Sequence, residues 1–388
     1  MEGWGVRSMK IAIACSGLGH VQRGIETWAA DLAQALRAAG EDVTLFQGSG
    51  EPAEAWQQVL SCRRRFDPQT QAWVRRLKPF GGWRYGFGSG YEMEQTTFAL
   101  KLWPRIRANY DILHVQDPTI AQIMEQLNRR KLSRPRVILA HGTEEPTETL
   151  QKFSYLQHLA PCYLDNWEPN RPPKQQAFAI PNFVDTTIFA PGNRGAARER
   201  WNLPPNDFIV LCVAAIKKTH KRIDDLLREF ALFAENYDGP TTLVIAGGRE
   251  AESDEIIAEG RRLLGEKVRF LEGVSRDKIA ELYRAADVFA LASRHEMMPI
   301  AVLEALASGL PIACNDTPTL RWMAGAAGEL NAVSQAGNLA RQLENLANPA
   351  QRAAFSMAAR SHAEANFSTG AVVEQIRAMH RKVAGETA

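Results

Sequence analysis

The stretch Val288–Cys314, VFALASRHEMMPIAVLEALASGLPIAC, decides how the chain reads. An apolar run, VFALA, gives way to a polar loop carrying Glu296. Pro299 then stands where proline is tolerated, at the first turn of a helix. A helical pattern runs to Gly309, a usual helix stop, and a second apolar run, PIAC, follows at once. Strand, loop, helix and strand in so short a span form the repeating unit of a parallel sheet covered by helices. Glu304 lies one turn from Ile300 and shares its apolar stripe. A carboxylate facing a core is costly unless it is hydrogen-bonded, and a ribose diol would offer it two donors. Glu296 could accept from sugar hydroxyls. Between the two, the free N–H groups at Met298, Ile300 and Ala301 would point at an anion such as a diphosphate. The plainer reading is an ordinary amphipathic helix with Glu304 solvated or paired to an arginine.

Outward from this unit the alternation continues. Apolar runs at Phe208–Ala214, Leu243–Ala246 and Val268–Leu271 predict strands, with helices over Ile223–Glu235, Glu252–Leu264 and Lys278–Ala286. In the first half, Lys10–Cys15, Val43–Phe46, Ile112–Val115 and Val137–Ala140 predict strands, and Ile25–Ala39 a helix stopped by Gly40. Two doubly wound α/β domains in series are expected, with ligands outside the carboxyl ends of the strands. The Pro-, Asn- and Gly-rich stretch around Pro181–Arg194 marks the boundary. The expected division is residues 1–185, residues 186–368, and a last helix over 369–388 that packs back on the first domain.

Length and composition agree. A chain of 388 residues suits two cores, and 45% apolar with 23% charged residues is a globular composition. The formal net charge of +2 disfavours a nucleic-acid partner. The five cysteines are widely spaced, with no C-x-x-C pair, which fits reduced thiols and gives no zinc ligand set. No run approaches the roughly 18 apolar residues that cross a bilayer, and no signal peptide is visible, so a cytoplasmic location is expected. Residues 1–8 read as a disordered extension or a mis-set start before Met9.

The residues also carry a family resemblance. Glu296 and Glu304 in E-x7-E spacing, followed by EALASGLPIA, resemble the donor-site signature of retaining GT-B glycosyltransferases of family GT4. Ile180–Pro191 (IPNFVDTTIFAP) is similar to that family's linker, Phe270–Ser293 to its stretch from the base-binding loop to the strand before the glutamates, and Arg23–Leu36 to its G-G-x-E helix. The resemblance implies two Rossmann-like domains facing across a cleft. It implies retaining, metal-independent transfer from a nucleotide sugar, with UDP the expected base. The acceptor class it leaves open: a glycan, a lipid-linked sugar or a small molecule.

It also implies roles for residues. A basic pair at the end of VLCVAA binds the donor diphosphate in the family. Lys221 matches its lysine, and Lys217 or Lys218 would stand in for a missing arginine. Gly247 and Gly248 would let the backbone approach the donor, although a tight turn explains them equally well. Val274, within Gly273–Ser275, falls in the loop that reads the base through main-chain atoms. Gly19 lies in a turn near donor and acceptor, and His20, Arg23, Arg84 and Tyr85 are acceptor-side candidates. His141, at a strand's carboxyl end, matches a histidine near the reacting sugar. His114 reads as a core residue. With Glu296 and Lys221, His141 completes the candidate catalytic set. Met298, Pro299, Ile300 and Glu304 complete the donor set.

Two departures stand out. Arg321 and Trp322 occupy positions where the family often carries a glutamate. The stretch Cys62–Arg107 interleaves arginines and aromatics. It suits an anionic or lipid-linked acceptor, a pyranose acceptor, an anionic membrane face, or a structural insertion. The donor-clamp geometry favours a front-face route, in which the departing diphosphate takes the acceptor's proton and domain closure about Asn182–Arg194 excludes water. A sugar-nucleotide epimerase and a silent sugar- or lipid-binding protein are the alternatives.

Overall fold

The computed structural model describes residues 9–21 and 23–385; the expectation for residues 1–8 lies outside them. The chain forms two compact units, residues 1–181 with 373–388, and residues 182–372.

In the first unit, β1 (Lys10–Cys15), β2 (Asp42–Gln47), β3 (Gln57–Val59), β4 (Ile112–Val115), β5 (Arg136–His141), β6 (Tyr155–His158) and β7 (Gln176–Ala179) form one sheet in the order β3-β2-β1-β4-β5-β6-β7. Every pairing is parallel. In the second, β8 (Phe208–Val213), β9 (Thr241–Gly247), β10 (Val268–Glu272), β11 (Val288–Leu291), β12 (Ile312–Asn315) and β13 (Gly328–Asn331) are ordered β10-β9-β8-β11-β12-β13, also all parallel. Central strands such as β4 and β11 are buried along their whole length, because helices cover both faces of a parallel sheet. That double burial made them legible as continuous apolar runs.

The edge strands β3, β7 and β13 are half-buried throughout. They carry no such run, and the sequence reading passed over them, as it did the inner strand β6, whose YLQH mixes polar residues in; the fourth edge strand, β10, it predicted. Sheet order reverses between β1 and β4 and again between β8 and β11. A crevice for ligands opens at such a reversal, outside the carboxyl ends of the strands.

The last helix, Thr369–Ala384, enters the first unit from residue 373. His380 Nε2 lies 3.0 Å from His114 Nδ1 in the core, and Arg377 pairs with Glu41 at 2.6 Å. His114 is thus a core residue, packed edge-on against Trp28 as well.

Candidate functional site

The reversal between β8 and β11 brings together the loops 214–222 and 292–299. Two non-glycine residues in the first loop, His220 and Arg222, take left-handed backbone (φ 71° and 52°). Such conformations cost energy and need local support. Here Arg222 N–H donates to the Lys218 carbonyl and Ile223 N–H to that of Lys217. The turn directs Lys221 across to Glu296, with Nζ 2.5 Å from Oε1. Glu296 is only 7% exposed, and His220 Nε2 stands 3.7 Å from its other oxygen. A buried carboxylate and a lysine are thereby held at the carboxyl end of the sheet.

The three lysines separate. Lys218 turns to Glu255 at 2.5 Å, and its N–H donates to Glu252. Lys217 has no partner for its ammonium among the described residues and is half-buried.

Pro299 occupies the N-cap of the helix Ile300–Ala307 and supplies no side-chain cap. No side chain caps the helix's early N–H groups, which begin at Ile300, four residues after Glu296. Met298 is turned to the linker: its sulfur and carbonyl accept from Asn182, which anchors the linker's start. Glu304 sits one turn into the helix at 8% exposure. The Tyr283 hydroxyl donates to Glu304 Oε2 at 2.7 Å and lies 3.2 Å from the Ala301 carbonyl. Burial, with the Glu304 carboxylate beside it, pushes the Tyr283 phenol well above its ordinary pKa, so it stays a neutral donor. The sequence reading gave Tyr283 no role. The available signal was a hydroxyl on the apolar stripe Ile279–Leu282–Tyr283, a polar atom that must find a buried partner.

Gly247 is explained by packing alone, since a Cβ there would overlap the Ala214 carbonyl oxygen. Gly248 faces open space. Val274 is half-buried in the turn after β10.

At the β1/β4 reversal of the first unit lies a second polar cluster. Glu94, fully buried, accepts from Arg65 Nη2 at 2.5 Å, Arg65 N at 2.7 Å and His20 Nε2 at 2.8 Å. Burial pushes its pKa up, but the His20 and Arg65 hydrogen bonds win and hold it at about 2. Asp117 accepts from Ser16 N–H at 2.7 Å and the Tyr91 hydroxyl at 3.0 Å, and burial raises its pKa. Glu26, also raised by burial, has Oε1 3.6 Å from Arg65. Gly19 has φ 96°, and a Cβ there would overlap the Ser49 carbonyl. Arg23 lies over the Phe66 ring.

His141 ends β5 edge-on to His158, with ring centroids 5.6 Å apart. Burial, only partly offset by the Thr143 backbone, pushes its pKa down to about 4, so its imidazole is neutral at pH 7. Arg84 and Tyr85 do not join the Glu94 cluster. Arg84 lies over Trp83, and Tyr85 stands out in solvent. Arg321 pairs with Asp316 at 2.7 Å, and the Trp322 ring packs edge-on to Phe367. Among the described residues, no group of three or more His, Cys, Asp or Glu is placed to hold a metal ion.

Two family models tile this architecture. Residues 22–189 match Glycosyltransferase Family 4, and residues 193–362 match Glycosyl transferases group 1. The chain belongs to the GT4-type, group 1 glycosyltransferases. Relatives include a D-inositol 3-phosphate glycosyltransferase of Mycolicibacterium gilvum, 37% identical over 33% of this chain and 29% of that one. Another of the same name, from Rhodococcus opacus, is 32% identical over 65% of this chain and 54% of the relative. The matches thus span about a third to about half of these relatives' length. Sucrose-phosphate synthase from Thermosynechococcus elongatus has a similar fold, with TM-score 0.74 at 18% identity, over 98% of this chain and all of that one. So has Anabaena HepE, solved with UDP-glucose, with TM-score 0.73 at 15% identity, over 96% of this chain and 100% of that one. At these identities the likeness carries the fold, which is GT-B.

Proposed function

We propose that the protein is a retaining glycosyltransferase that takes a sugar from a nucleotide donor, most simply a UDP-sugar, held by the second unit. The carrying observation is the Lys221–Glu296 pair at 2.5 Å beside the uncapped helix start at Pro299. With donor bound, the diphosphate takes the Lys221 ammonium and the helix N–H groups, with Lys217 as second cation. Glu296, released, accepts from hydroxyls of the transferred sugar. Glu304, fixed by Tyr283, accepts from the ribose.

The chemistry follows from that clamp. The bond between the anomeric carbon and the diphosphate oxygen breaks as cations and N–H dipoles stabilise the leaving group. The acceptor hydroxyl attacks from the same face, forms the new C–O bond, and passes its proton to a departing phosphate oxygen. The configuration is therefore retained, and no metal is needed to neutralise the diphosphate. His141, neutral at pH 7, steadies the sugar by hydrogen bonding. The acceptor is a hydroxyl compound held by the first unit near His20 and Arg23. The names of the inositol-phosphate relatives make a phosphorylated polyol the first acceptor to try, beside glycans and lipid-linked sugars.

The test is a panel of nucleotide sugars and acceptors with no added metal and with chelator. Product formation with an unchanged anomeric configuration by NMR is the expected result. A product of inverted configuration, or turnover only after a divalent cation is added, would overturn the proposal. Donor converted to an epimer in the absence of acceptor would do so too.

A further inference from the structure

Among the described residues no helix is long and apolar enough to cross a membrane. A surface lobe of the first unit has a different character. Between Arg63 and Tyr91 the only acidic residue is Asp67. Arg63, Arg64, Arg75, Arg76, Lys78 and Arg84 are all exposed there. Among them stand five large aromatics that soluble surfaces seldom present together: Phe66 is 66% exposed, Trp73 42%, Phe80 79%, Trp83 64% and Tyr85 71%.

The lobe is built rather than loose. Lys78–Phe80 and Gly82–Tyr85 are short 3-10 turns separated by Gly81 at φ 71° and closed by Gly86 at φ 75°. Side chains at Gly82 and Gly88 would press on Leu77 and on Trp83, so the glycines let the turns pack tightly. Gly88 N–H donates to Glu92 and the Thr96 hydroxyl to the Gly86 carbonyl, which ties the turns to the helix Gly90–Ile106. Outward, Arg63 and Arg76 both stack on Trp73, each 5.6 Å from the ring centroid, and Arg84 lies 5.1 Å from that of Trp83. Guanidinium groups thus lie directly against two of the exposed rings, Trp73 and Trp83.

We infer that this lobe docks the protein on the surface of an anionic membrane. Aromatic rings with polar edges favour the headgroup boundary, and arginine attracts anionic lipid. Six exposed cations against one acid supply charge complementarity. The hydrogen-bonded turns hold the backbone of Phe80, Trp83 and Tyr85 in place, which lowers the ordering cost on binding. Nucleic acid would also meet arginine and aromatic rings. An anionic lipid surface offers both phosphates for the arginines and an apolar layer for the exposed Phe80 and Trp83 rings, and displacement by RNA would count against the membrane. The inference is independent of the donor chemistry above, because the lobe residues it uses are outside the Lys221–Glu296 site.

Co-sedimentation of the full-length protein with vesicles tests it. Phosphatidylcholine vesicles containing phosphatidylglycerol should pull the protein down, and pure phosphatidylcholine should not. Raised salt should weaken the binding by screening. The double variant Phe80→Ala/Trp83→Ala should bind at least tenfold more weakly. Arg75→Glu/Arg76→Glu should lose roughly fivefold or more per cation removed. Circular dichroism and gel-filtration elution should match the parent in both. No binding to anionic vesicles overturns the inference. So does equal binding to both vesicle types, binding that neither variant reduces, an RNA oligonucleotide that displaces the protein from vesicles, or a dimer that Phe80→Ala/Trp83→Ala dissolves.

Discussion

Tyr283 and Glu304 show how one side chain sets the use of another. A carboxylate at 8% exposure keeps a fixed direction only if something holds one of its oxygens, and the Tyr283 hydroxyl does so at 2.7 Å. Tyr283→Phe keeps the ring stacked near Phe289 and removes that donor. A buried acceptor that loses its donor costs roughly 1–3 kcal/mol. The midpoint of thermal unfolding should therefore fall, and nucleotide affinity should fall with it. Lower stability with nucleotide affinity unchanged would separate Tyr283 from the site. Lys221→Ala removes the cation 2.5 Å from the buried Glu296, so both stability and turnover should drop, turnover by about a hundredfold or more if the lysine stabilises the leaving group as argued. Lys221→Arg should recover part of the loss. Full turnover in Lys221→Ala, measured by release of nucleoside diphosphate, would remove that lysine from the mechanism.

At the scale of elements, each unit is organised by the strands beside its reversal point. Asp287, just before β11, shows how the second sheet is locked. It accepts from Arg198 and Arg194 at 2.7 Å each, and from Ile209 N–H of β8 at 2.8 Å. Asp287→Ala strands a buried Arg198, and breaking such a pair typically costs about 3–5 kcal/mol. Denaturant unfolding should show a loss of that size; a loss under about 1 kcal/mol would mean the network relaxes around the gap.

The same scale explains what the sequence disclosed. β1, β4, β8 and β11 are buried on both faces, so local composition alone marked them. β3, β7 and β13 lie at edges, where half-burial leaves a mixed pattern. Glu304 stood out because a charge on the apolar stripe of Ile300–Ala307 needs a reason, and Glu296 because of its E-x7-E spacing to it. The Lys221–Glu296 contact was not, since it joins residues 75 apart through a turn set by two left-handed residues. The Glu94 cluster was hidden for the same reason: Ser16, His20, Arg65 and Glu94 meet only after the first sheet has formed.

Across the whole molecule, buried histidines gather in the first unit. Burial holds His141 at about 4, and His114 and His158 at about 3, against an ordinary value of 6.5; His380 is pushed well below it. For a base with a lowered folded pKa, the unfolded chain binds protons first as pH falls. Stability is thus fully present above about 6.5 and declines toward 4, by up to roughly 1.4 kcal/mol per pH unit for each such histidine. Glu26 and Asp117, whose folded values are raised, oppose part of this decline. Glu94, held at about 2, adds to the loss only below its ordinary value of 4.5. Hydrogen exchange at pH 7 and pH 5 should show protection falling in residues 9–181 before it falls in residues 182–372. An equal loss in both units would contradict this assignment.

The central claim is that the carboxylate at position 304 grips a nucleotide. Calorimetric titration of the full-length protein and of Glu304→Gln with UDP and UDP-sugars tests it most directly. The account predicts that Glu304→Gln weakens binding of the preferred nucleotide by about tenfold or more, some 1.4 kcal/mol, while the folded structure persists. Affinity and turnover equal to those of the parent protein would contradict it.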